Sequence, residues 1–383
     1  MEFAKKYYIK TFGCQANIAD SGTMRGILED LGYHRYVTDE AQKEDALLEE
    51  VLKNVDLLII NTCSVRQKSE DKVYGMGKMI KKVLAETGKK PMIVLAGCMV
   101  GSAVGERRRF ELNELKKKMP WVDKYVSPTD ISKLSSVGPV ACHPPHAQEF
   151  SYVNISTGCD NFCTYCVVPY ARGKEVSRNE KDILSDVQNL INRGCTKIML
   201  CGQNVNSWGL GVKEKIALRS GESKKTPFVD LLTKVHTIDG VKELAFISSN
   251  PFDFTKELVD VLKLPKMSKY LHIAVQSGNN DVLKRMNRRH TVEEFIALIR
   301  EIEKAVPDIE LGTDIIVGFP GETRKQFMDT VELFKKVKFK VAFISMYSPR
   351  KGTAAERLFE DDVSLKEKKW RHAYLTKIWK TRR

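Results

Sequence analysis

Short apolar runs alternate with amphipathic segments along the first third of the chain. Three runs are rich in β-branched and aromatic residues and are followed closely by small or polar residues: 7–12, 55–60 and 92–96. Such runs are typical of strands that are buried on both faces of a parallel sheet. A fourth and shorter run lies at 122–126. Strands that alternate with helices predict a three-layer α/β domain, which we place at residues 1–134.

Apolar residues at helical spacing fill the intervals between these runs. Asp20 is suited to cap a helix whose apolar face includes Met24 and which ends at Gly32. A second helix is predicted from about 66 to 87, where a glycine and a proline follow it. A third and strongly basic helix is predicted from about 106 to 119, before a proline.

The second half of the chain repeats the alternation after a break. Residues 135–150 lack periodicity and are predicted to be a linker, and residues 208–227 are predicted to be a surface loop. Six βα units at 151–360 predict an incomplete version of the (β/α)8 barrel, and 361–383 predict a basic C-terminal helix. The predicted strands are 152–156, 197–201, 243–248, 271–275, 311–317 and 341–345. The predicted helices between them include 181–193, 228–238, 255–262, 292–305 and 324–337.

Charge adds a class of partner to this picture. The chain has 63 Lys and Arg against 49 Asp and Glu, a formal net charge of +14, which favours nucleic acid, although many basic cytosolic enzymes share such a charge. The runs 107–109 and 284–290 are candidate phosphate contacts, with a solvated basic face as the alternative. Apolar stretches are shorter than the roughly 18 residues that suggest a membrane span. We therefore expect a cytoplasmic protein without a membrane partner, in which cysteines serve as metal ligands rather than disulfides.

Three closely spaced cysteines follow the first strand predicted for the barrel. Cys159, Cys163 and Cys166 form a C-x3-C-x2-C set. Three thiolates on one loop are suited to bind three irons of a 4Fe–4S cluster, which leaves the fourth iron open to an outside ligand, and Phe162 and Tyr165 would shield the cluster from water. Zinc or reactive thiols are the alternatives, but structural zinc needs a fourth ligand and none lies nearby.

Three more cysteines follow the strands predicted in the first domain. Cys14, Cys63 and Cys98 each stand one or two residues past an apolar run. The carboxyl ends of parallel strands meet at one edge of the sheet, where ligands bind, so we expect these cysteines to converge. A single buried cysteine at such a place is usually a small apolar residue. Three at the same topological position favour a second metal cluster, again with one open iron.

Small and polar residues follow the predicted barrel strands. In a barrel of this type the catalytic and binding residues lie at the carboxyl ends of the strands, so these residues are candidates to line a cavity. Turn formation is the alternative, because turns also favour Gly, Ser and Asn. The candidates are Gln203, Asn204, Ser248, Gln276, Asp314 and Tyr347.

These features together resemble a known family. The C-x3-C-x2-C loop of a partial barrel resembles the radical S-adenosylmethionine enzymes, and the added N-terminal domain resembles the methylthiotransferases among them. The string that starts at Gly158 is most similar to that of the tRNA methylthiotransferases that act on N6-isopentenyladenosine. The resemblance spans nearly the whole chain, and its motifs are TFGCQAN, NTCSVR, AGCM, GCDNFCTYCVVPYARGKEVSR, CGQNVNSWG, ISSNPFDF, HIAVQSGN, TDIIVGFPGET and YSPRKGTAA.

The resemblance implies an architecture and a set of sites. The fold would be a flavodoxin-like parallel-sheet domain that holds an auxiliary cluster, followed by a partial (β/α)6 TIM-like barrel. The catalytic cysteines that bind the radical-generating 4Fe–4S cluster and S-adenosylmethionine would be Cys159, Cys163 and Cys166. The auxiliary 4Fe–4S cluster would be bound by Cys14, Cys63 and Cys98. Contacts to the cofactor or the substrate would come from Gln203, Asn204, Ser248, Gln276, Asp314 and Tyr347.

The resemblance also implies a reaction and its partners. C2–H of N6-(dimethylallyl)adenosine, beside the anticodon of tRNA, would become C2–SCH3 by a radical mechanism that uses two molecules of S-adenosylmethionine. One molecule would methylate a sulfur atom held at the auxiliary cluster, and the other would supply a 5′-deoxyadenosyl radical. The partners would be the anticodon stem–loop and an electron donor such as flavodoxin or ferredoxin, and we expect a monomer.

One departure and two alternatives accompany this interpretation. Chains of the family continue into a small C-terminal β-barrel, the TRAM domain, which binds RNA, whereas this sequence ends at Arg383, where that domain would begin. A sister enzyme that acts on N6-threonylcarbamoyladenosine or on a ribosomal protein is the nearest alternative. A non-catalytic iron–sulfur protein that binds RNA or transfers electrons is the alternative from a different class, although electron carriers usually bind their iron with four cysteines.

Overall fold

The chain forms two compact units. A computed structural model describes residues 5–38, 43–65, 67–134, 150–220 and 226–382. The first unit comprises Met1–Asp160 together with Val167–Val176, and the second comprises Asn161–Cys166 together with Ser177–Arg383. The linker predicted at 135–150 lies almost wholly outside the described residues, so that boundary and the other predicted domain limits stay predictions.

The first unit contains a five-stranded parallel sheet. Its strands, in chain order, are β1 (Lys6–Phe12), β2 (His34–Arg35), β3 (Leu57–Thr62), β4 (Met92–Gly97) and β5 (Lys124–Val126). Their order across the sheet is β2-β1-β3-β4-β5, and each neighbouring pair is parallel. This is the flavodoxin-like order, so the predicted fold of this domain is confirmed.

Helices connect these strands. They are α1 (Gln15–Asp30), α2 (Glu44–Asn54), α3 (Gln67–Thr87), α4 (Cys98–Val104) and α5 (Leu112–Lys118). Strand β3 is buried along its whole length because Leu58 and Ile60 face one core, while Leu57 and Ile59 face the other. A strand that is buried on both faces cannot show the polar alternation of a half-exposed strand, which explains its uninterrupted apolar sequence.

Two details of the first unit differ from the sequence-based prediction. Helix α1 begins at Gln15, so Asp20 does not cap it but is buried inside it, where it has a partner described below. The third helix, expected from residue 106, begins only at Leu112. The preceding chain folds back instead, because the backbone N–H of Arg109 donates to the carbonyl of Ser102 at 2.8 Å.

Short elements follow the sheet in the first unit. They are β6 (Ser151–Asn154), β7 (Ser156–Thr157) and α6 (Val168–Ala171), with β8 (Val176–Ser177) at the point where the chain passes into the second unit. The cysteine-rich stretch of 159–166 lies between β7 and α6. The first strand predicted for the barrel therefore forms as two short pieces, β6 and β7, just before these cysteines.

The second unit repeats strands and helices in the predicted order. Its strands are β9 (Lys197–Cys201), β10 (Glu243–Phe246), β11 (Tyr270–His272), β12 (Glu310–Val317) and β13 (Val341–Met346). Its helices are α7 (Glu180–Asn192), α8 (Val212–Arg219), α9 (Pro227–Thr237), α10 (Lys256–Val261), α11 (Asn280–Arg285), α12 (Val292–Ala305), α13 (Arg324–Lys336), α14 (Ala354–Leu358) and α15 (Leu365–Arg382).

The strands of the second unit form a parallel array. Strand β9 pairs with β10, and β11-β12-β13 form a second parallel set, while a parallel bridge between Ser249 and Ile273 joins the ends of β10 and β11. Helix α15 packs against β12, β13 and α13, and its Trp370 and Tyr374 contact Phe327. The barrel-type succession of strands is confirmed, as is the C-terminal helix.

The predicted surface loop at 208–227, of which the structure describes 208–220 and 226–227, is partly helical. It carries helix α8, whose last residue, Arg219, pairs with buried Asp253 at 2.7 Å. Among the described residues, no helix has the length and apolar character that crossing a membrane requires.

Candidate functional site

The three cysteines of the first unit lie where strands of the sheet end. Cys14 stands two residues after β1 and directly before α1, Cys63 is the first residue after β3, and Cys98 follows β4 as the first residue of α4. Gly97 has φ +92°, and a Cβ there would lie 2.4 Å from Oδ1 of Asn61. Only glycine therefore allows β4 to turn so sharply into the helix that carries Cys98.

The structure brings these cysteines together. The thiol of Cys63 hydrogen-bonds to the sulfur of Cys98, and Cys14 is near enough for its charge to raise the pKa of Cys63 further. Cys63 and Cys98 are buried, whereas Cys14 is exposed. Strand register agrees with the predicted convergence, because Phe12, Thr62 and Gly97, at the ends of β1, β3 and β4, lie level with one another.

Amide side chains fix the strand ends around these cysteines. The side chain of Asn61 donates to the carbonyl of Asn17 at 2.8 Å and to Oγ of Ser21 at 2.9 Å. The backbone N–H of Cys14 in turn donates to Oδ1 of Asn17 at 3.3 Å. This buried network joins the start of α1 to the end of β3, so it sets the position of Cys14 relative to Cys63.

A buried arginine lies beside these cysteines. Arg172 directly follows α6 and is 3% exposed. Its Nε donates to Sγ of Cys98 at 3.3 Å, and its Nη2 donates to Oδ2 of Asp20 at 2.5 Å. Asn154 donates to the other carboxylate oxygen of Asp20 at 2.8 Å. The guanidinium therefore places a fixed positive charge at the edge of the cysteine group.

The contacts of Cys63 and Cys98 shift the pKa values of the two thiols in opposite directions. The hydrogen bond from Cys63, followed by the charge and the hydrogen bond of Arg172, lowers the pKa of Cys98 to about 6. The pKa of Cys63 is raised because this thiol donates to Cys98 and is buried. One sulfur of the pair is thus prepared as a thiolate, which is the form that binds a metal.

Replacement of Arg172 with methionine is expected to destabilise the first unit. The substitution leaves the carboxylate of Asp20 buried without its cation, and breaking a buried pair in this way typically costs about 3–5 kcal/mol. Urea denaturation of the metal-free protein, with hydrogen exchange of the β3 and β4 amides, would measure the loss. The double variant Asp20→Asn/Arg172→Met removes both charges and should recover much of it.

Arg178→Met provides the matched control for that substitution. Arg178 pairs with Asp186 at 2.8 Å in a partly exposed position, where an ion pair contributes about 1 kcal/mol or less. If Arg172→Met and Arg178→Met lower the free energy of unfolding equally, the buried pair of Arg172 and Asp20 does not stabilise the first unit more than a partly exposed pair does.

The C-x3-C-x2-C loop begins in the first unit and ends in the second. Gly158, with φ +76°, precedes Cys159, and a Cβ there would lie 2.1 Å from the carbonyl of Lys174. The backbone N–H of Cys159 donates to the carbonyl of Gly173 at 3.2 Å. In the second unit, the N–H of Cys166 donates to the carbonyl of Cys163 at 2.9 Å in a tight turn.

An arginine also contacts a cysteine in the second unit. Nη1 of Arg288 lies 3.6 Å from Sγ of Cys163 and 2.8 Å from Oδ1 of Asn250, and Nη2 donates to the carbonyl of Ala274 at 2.7 Å. Its guanidinium also lies over the ring of Phe252 at 5.1 Å. Arg288 belongs to the run 284–290 that was expected to contact phosphate, but it is 8% exposed, so that interpretation is wrong for this residue.

The other predicted phosphate contact is also engaged within the protein. Arg107 pairs with Asp160 at 2.8 Å, and Arg108 pairs with Glu111 at 2.9 Å. Arg109 donates to Oγ of Ser64 at 3.0 Å. These contacts hold the side chains against the first unit, so the run is not a freely solvated basic face.

Two predicted site residues of the second unit have unusual backbone geometry. Ser248 has φ +73° and Gln276 has φ +77°, in the left-handed region that residues other than glycine rarely adopt. Ser248 follows β10 and Gln276 lies four residues past β11. Strained residues of this kind concentrate at functional sites, where the surrounding structure over-determines them.

The two amides after β9 differ in how fully they are engaged. Asn204 is buried; its Nδ2 donates to Ser207 and Asp253, and its Oδ1 accepts from Asn250 at 2.6 Å. Its side chain therefore supports neighbouring residues and has little capacity left for a ligand. The buried Oε1 of Gln203 has no hydrogen-bond partner among the described residues, so it is available to accept from a ligand.

The last two predicted residues occupy contrasting environments. The side chain of Asp314 is 40% exposed and lies 2.8 Å from Nε2 of His272. Tyr347 is 6% exposed and packs edge-on against Phe319, with ring centroids 5.2 Å apart. Burial raises the pKa of Tyr347 to about 12, so its hydroxyl stays protonated at neutral pH. Tyr347 is thus a core residue in this structure, whereas Asp314 remains accessible to a ligand.

A site for one metal ion and a site for an iron–sulfur cluster place different demands on their ligands. Among the residues that the structure describes, no three His, Cys, Asp or Glu side chains are placed to share one metal ion. A 4Fe–4S cluster makes a different demand, because each cysteine binds a separate iron.

Sequence reasoning missed Arg172 and Arg288 as neighbours of the cysteines. Arg172 lies in the string that starts at Gly158, and Arg288 lies in the basic run 284–290. The signal that could have found Arg172 is a charged residue at the end of the apolar run CVVPYA. Arg288 carries no such signal, because nothing local separates a buried arginine from its solvated neighbours.

Family comparisons cover both halves of the chain. Residues 153–334 match the model of the Radical SAM superfamily. Residues 6–126 match a family described as Uncharacterized protein family UPF0004.

Curated relatives are similar over nearly the whole chain. The tRNA-2-methylthio-N(6)-dimethylallyladenosine synthase of Thermotoga petrophila is 38% identical, over 98% of this chain and 82% of the relative. The synthase of the same name from Finegoldia magna is 37% identical, over 94% of this chain and 76% of the relative. That of Protochlamydia amoebophila is 38% identical, over 95% and 78% respectively.

Solved structures share the fold at low sequence identity. The radical S-adenosylmethionine methyltransferase TsrM from Kitasatospora setae, with cobalamin and a [4Fe-4S] cluster bound, matches with a TM-score of 0.59 and 12% identity, over 92% of this chain and 74% of that one. The cobalamin-dependent radical enzyme OxsB matches with a TM-score of 0.56 and 11% identity, over 100% of this chain and 56% of that one. At these identities the match shows the fold alone.

Proposed function

The chain belongs to the family of the tRNA-2-methylthio-N(6)-dimethylallyladenosine synthases, which are radical S-adenosylmethionine enzymes, and on this premise we propose that it attaches a methylthio group to C2 of N6-(dimethylallyl)adenosine beside the anticodon of tRNA. The observation that carries the proposal is that Cys14, Cys63 and Cys98 follow three neighbouring strands, β1, β3 and β4, which end level at one edge of the first unit's sheet. A radical enzyme needs only one cluster to cleave its cofactor. A second set of three cysteines supports a reaction that also delivers sulfur.

Membership of the radical S-adenosylmethionine family implies one 4Fe–4S cluster and S-adenosylmethionine. In the proposal, Cys159, Cys163 and Cys166 would hold this cluster, and the cofactor would bind to it through its amine and carboxylate. Oε1 of Gln203 fits this assignment, since a buried acceptor without a hydrogen-bond partner among the described residues suits the N–H of an amino group. Ser248 and Gln276 contribute a rigid, strained cavity edge.

The second cluster is assigned to the cysteines of the first unit. Cys14, Cys63 and Cys98 provide three ligands, and the lowered pKa of Cys98 favours the thiolate that iron requires. Arg172 fits the same assignment, because a cluster with three thiolates carries negative charge and a donor to a ligand sulfur raises the reduction potential. Exposed Cys14 lies on the accessible side of the group.

The chain's own residues position and protect the chemistry. When bound, the two clusters and S-adenosylmethionine supply the electron, the 5′-deoxyadenosyl radical and the sulfur that replacement of C2–H by C2–SCH3 requires. Arg288 fixes Cys163 through its hydrogen bonds to Asn250 and to the carbonyl of Ala274. Tyr165, whose burial near Cys163 raises its pKa well above its usual value, keeps its hydroxyl neutral and contributes apolar surface there.

The basic surface fits an RNA substrate. With a formal net charge of +14, the chain would attract the phosphates of an anticodon stem–loop, whose unstacked bases are accessible to a protein. We further propose a cytoplasmic, monomeric enzyme that receives electrons from flavodoxin or ferredoxin.

Anaerobic incubation of the reconstituted protein with tRNA and S-adenosylmethionine is expected to yield 2-methylthio-N6-(dimethylallyl)adenosine. Mass spectrometry of the digested nucleosides measures it directly. The matched control is tRNA that lacks the N6-dimethylallyl group, which should remain unmodified. If the product is instead methylthiolated N6-threonylcarbamoyladenosine or a methylthiolated ribosomal protein, the protein has the activity of a sister enzyme. Cleavage of S-adenosylmethionine with no methylthiolated product of any kind would contradict the proposal.

A further inference from the structure

Three neighbouring strands of the second unit present a polar and aromatic row on one face. Strand register places His272 beside Gly312, and Asp314 beside Phe343. Residues paired in a parallel sheet point to the same side. The opposite face of β12 carries Leu311, Thr313, Ile315 and Val317, each at most 2% exposed. By contrast, Asp314 is 40% and Phe343 is 49% exposed, so this face of the row is accessible to solvent.

A chain of hydrogen bonds fixes the carboxylate in this row. The hydroxyl of Tyr270 lies 2.9 Å from Nδ1 of His272, and Nε2 of His272 lies 2.8 Å from Oδ2 of Asp314. A carboxylate only accepts, so Nε2 carries the proton and Nδ1 accepts from the tyrosine. Burial and the nearby carboxylate of Asp314 raise the pKa of Tyr270 to about 12, which keeps that hydroxyl a donor. The chain occupies Oδ2 and orients the carboxyl group, while Oδ1 is left for a ligand.

The sequence makes room for this chain at one glycine. A Cβ at Gly312 would lie 2.1 Å from the hydroxyl of Tyr270 and 2.5 Å from Nδ1 of His272. Neither group could keep its place beside a larger residue. Glycine in the middle of a strand weakens the strand, and its presence here is explained by the space that the tyrosine and histidine need.

Phe343 supplies an exposed aromatic surface next to the fixed carboxylate. Its ring is tilted by 37° against the His272 ring, with centroids 5.7 Å apart, so one edge is supported from below. An exposed phenylalanine ring is stabilised most by stacking against a flat apolar partner, such as a nucleobase. The carboxylate of Asp314, on the neighbouring strand β12, is placed to accept a hydrogen bond from an N–H at the edge of that base.

We propose that Phe343 and Asp314 form a recognition site for an adenine base, in which the base stacks on Phe343 and its N6–H donates to Oδ1 of Asp314. The inference rests on the proposed function, since it assigns the adenine to the RNA substrate. A base removed from an anticodon loop loses its stacking partners, and a protein ring replaces them.

S-adenosylmethionine also contains an adenine, and the strand that carries the ring favours the substrate. Gln276, which suits the cofactor, adjoins Asp314, because its backbone N–H donates to the carbonyl of Asp314 at 2.9 Å. Phe343 lies instead on β13, which β12 separates from β11. The stacking surface therefore belongs to a strand that carries none of the residues that suit the cofactor, which are Gln203, Ser248 and Gln276.

The test measures binding of a synthetic anticodon stem–loop RNA that carries N6-(dimethylallyl)adenosine to the full chain. Phe343→Ala should weaken binding about ten-fold, and Phe343→Tyr, which keeps the ring, should restore it. Asp314→Asn turns its oxygen toward Nε2–H of His272 and presents an NH2 group to the base, so binding should also fall about ten-fold. Glu310→Gln is the matched control, because Glu310 is an exposed carboxylate on the same face that pairs with Lys340.

A base analogue identifies the atom that is recognised. RNA with purine in place of the adenine, which has no N6 group, should bind wild type about ten-fold more weakly, and should bind Asp314→Asn and wild type equally. Affinity for S-adenosylmethionine should be unchanged in every variant.

Three results would overturn the inference. If Asp314→Asn weakens the binding of S-adenosylmethionine and spares the RNA, the site recognises the cofactor. If wild type methylthiolates tRNA but Phe343→Ala and Asp314→Asn bind the stem–loop normally, the inference fails and the proposed function stands. A wild-type protein that neither binds nor modifies any RNA would remove both.

Discussion

Replacement of Cys163 with alanine is expected to abolish cleavage of S-adenosylmethionine. Cys163 is the middle cysteine of the loop and is oriented by Arg288, which lies 3.6 Å from its sulfur. Without this thiolate only two cysteines of the loop remain, and two are too few to hold a cluster that must also bind the cofactor. The release of 5′-deoxyadenosine under anaerobic, reducing conditions should fall below detection, and methylthiolation should disappear with it.

The control and a second readout separate this effect from misfolding. Cys195→Ala removes a thiol that lies outside both cysteine groups and should leave 5′-deoxyadenosine release unchanged. Iron content should fall by about four atoms in Cys163→Ala, as expected for one lost 4Fe–4S cluster, while the iron bound in the first unit is retained. Persistent release of 5′-deoxyadenosine by Cys163→Ala would refute the assignment of the loop.

Replacement of Cys63 with alanine is expected to give the complementary phenotype. Cys63 is buried next to Cys98 in the first unit and lies outside the C-x3-C-x2-C loop. Release of 5′-deoxyadenosine should persist, whereas formation of the methylthio product should vanish, because the group proposed to supply sulfur has lost a ligand. The ratio of the two products, measured in one anaerobic reaction, reports the separation directly.

Cys201→Ala is the matched control for loss of a buried thiol. Cys201 is fully buried at the end of β9 in the second unit, where its thiol lies 3.6 Å from the carbonyl oxygen of Met199. That variant should retain both activities, at some cost in stability. If Cys63→Ala retains full methylthiolation, the cysteines of the first unit are not the sulfur-delivering site.

Patterns that repeat along the chain predicted the architecture well. Buried parallel strands produce apolar runs in the sequence, and the β3 run at 55–60 lies within two residues of the observed strand, Leu57–Thr62. The predicted limits of helix α12, 292–305, are the observed ones, and in the structure Thr291 and Glu294 form a capping box at its start. Convergence of Cys14, Cys63 and Cys98 followed from topology alone, since parallel strands share one carboxyl edge.

Contacts between distant segments could not be predicted in the same way. Arg172 and Asp20 are 152 residues apart, and Asp20 looked like a helix cap because its partner is invisible in the local sequence. Tyr270, His272 and Asp314 belong to two strands, and only strand register brings them into one row. The late start of helix α5 also depends on a contact outside the helix, because the backbone N–H of Arg109 donates to the carbonyl of Ser102 and the helix begins only at Leu112.

The spacing of the two cysteine groups has a consequence for biogenesis. Cys159, Cys163 and Cys166 span eight residues, so a nascent chain can present them together before the remaining protein has folded. Cys14, Cys63 and Cys98 come from three strand ends and exist as a group only once β1, β3 and β4 have paired. In the proposed enzyme, iron–sulfur insertion at Cys14, Cys63 and Cys98 would therefore have to wait for the sheet, and the maturation machinery would receive a folded first unit rather than an unfolded one.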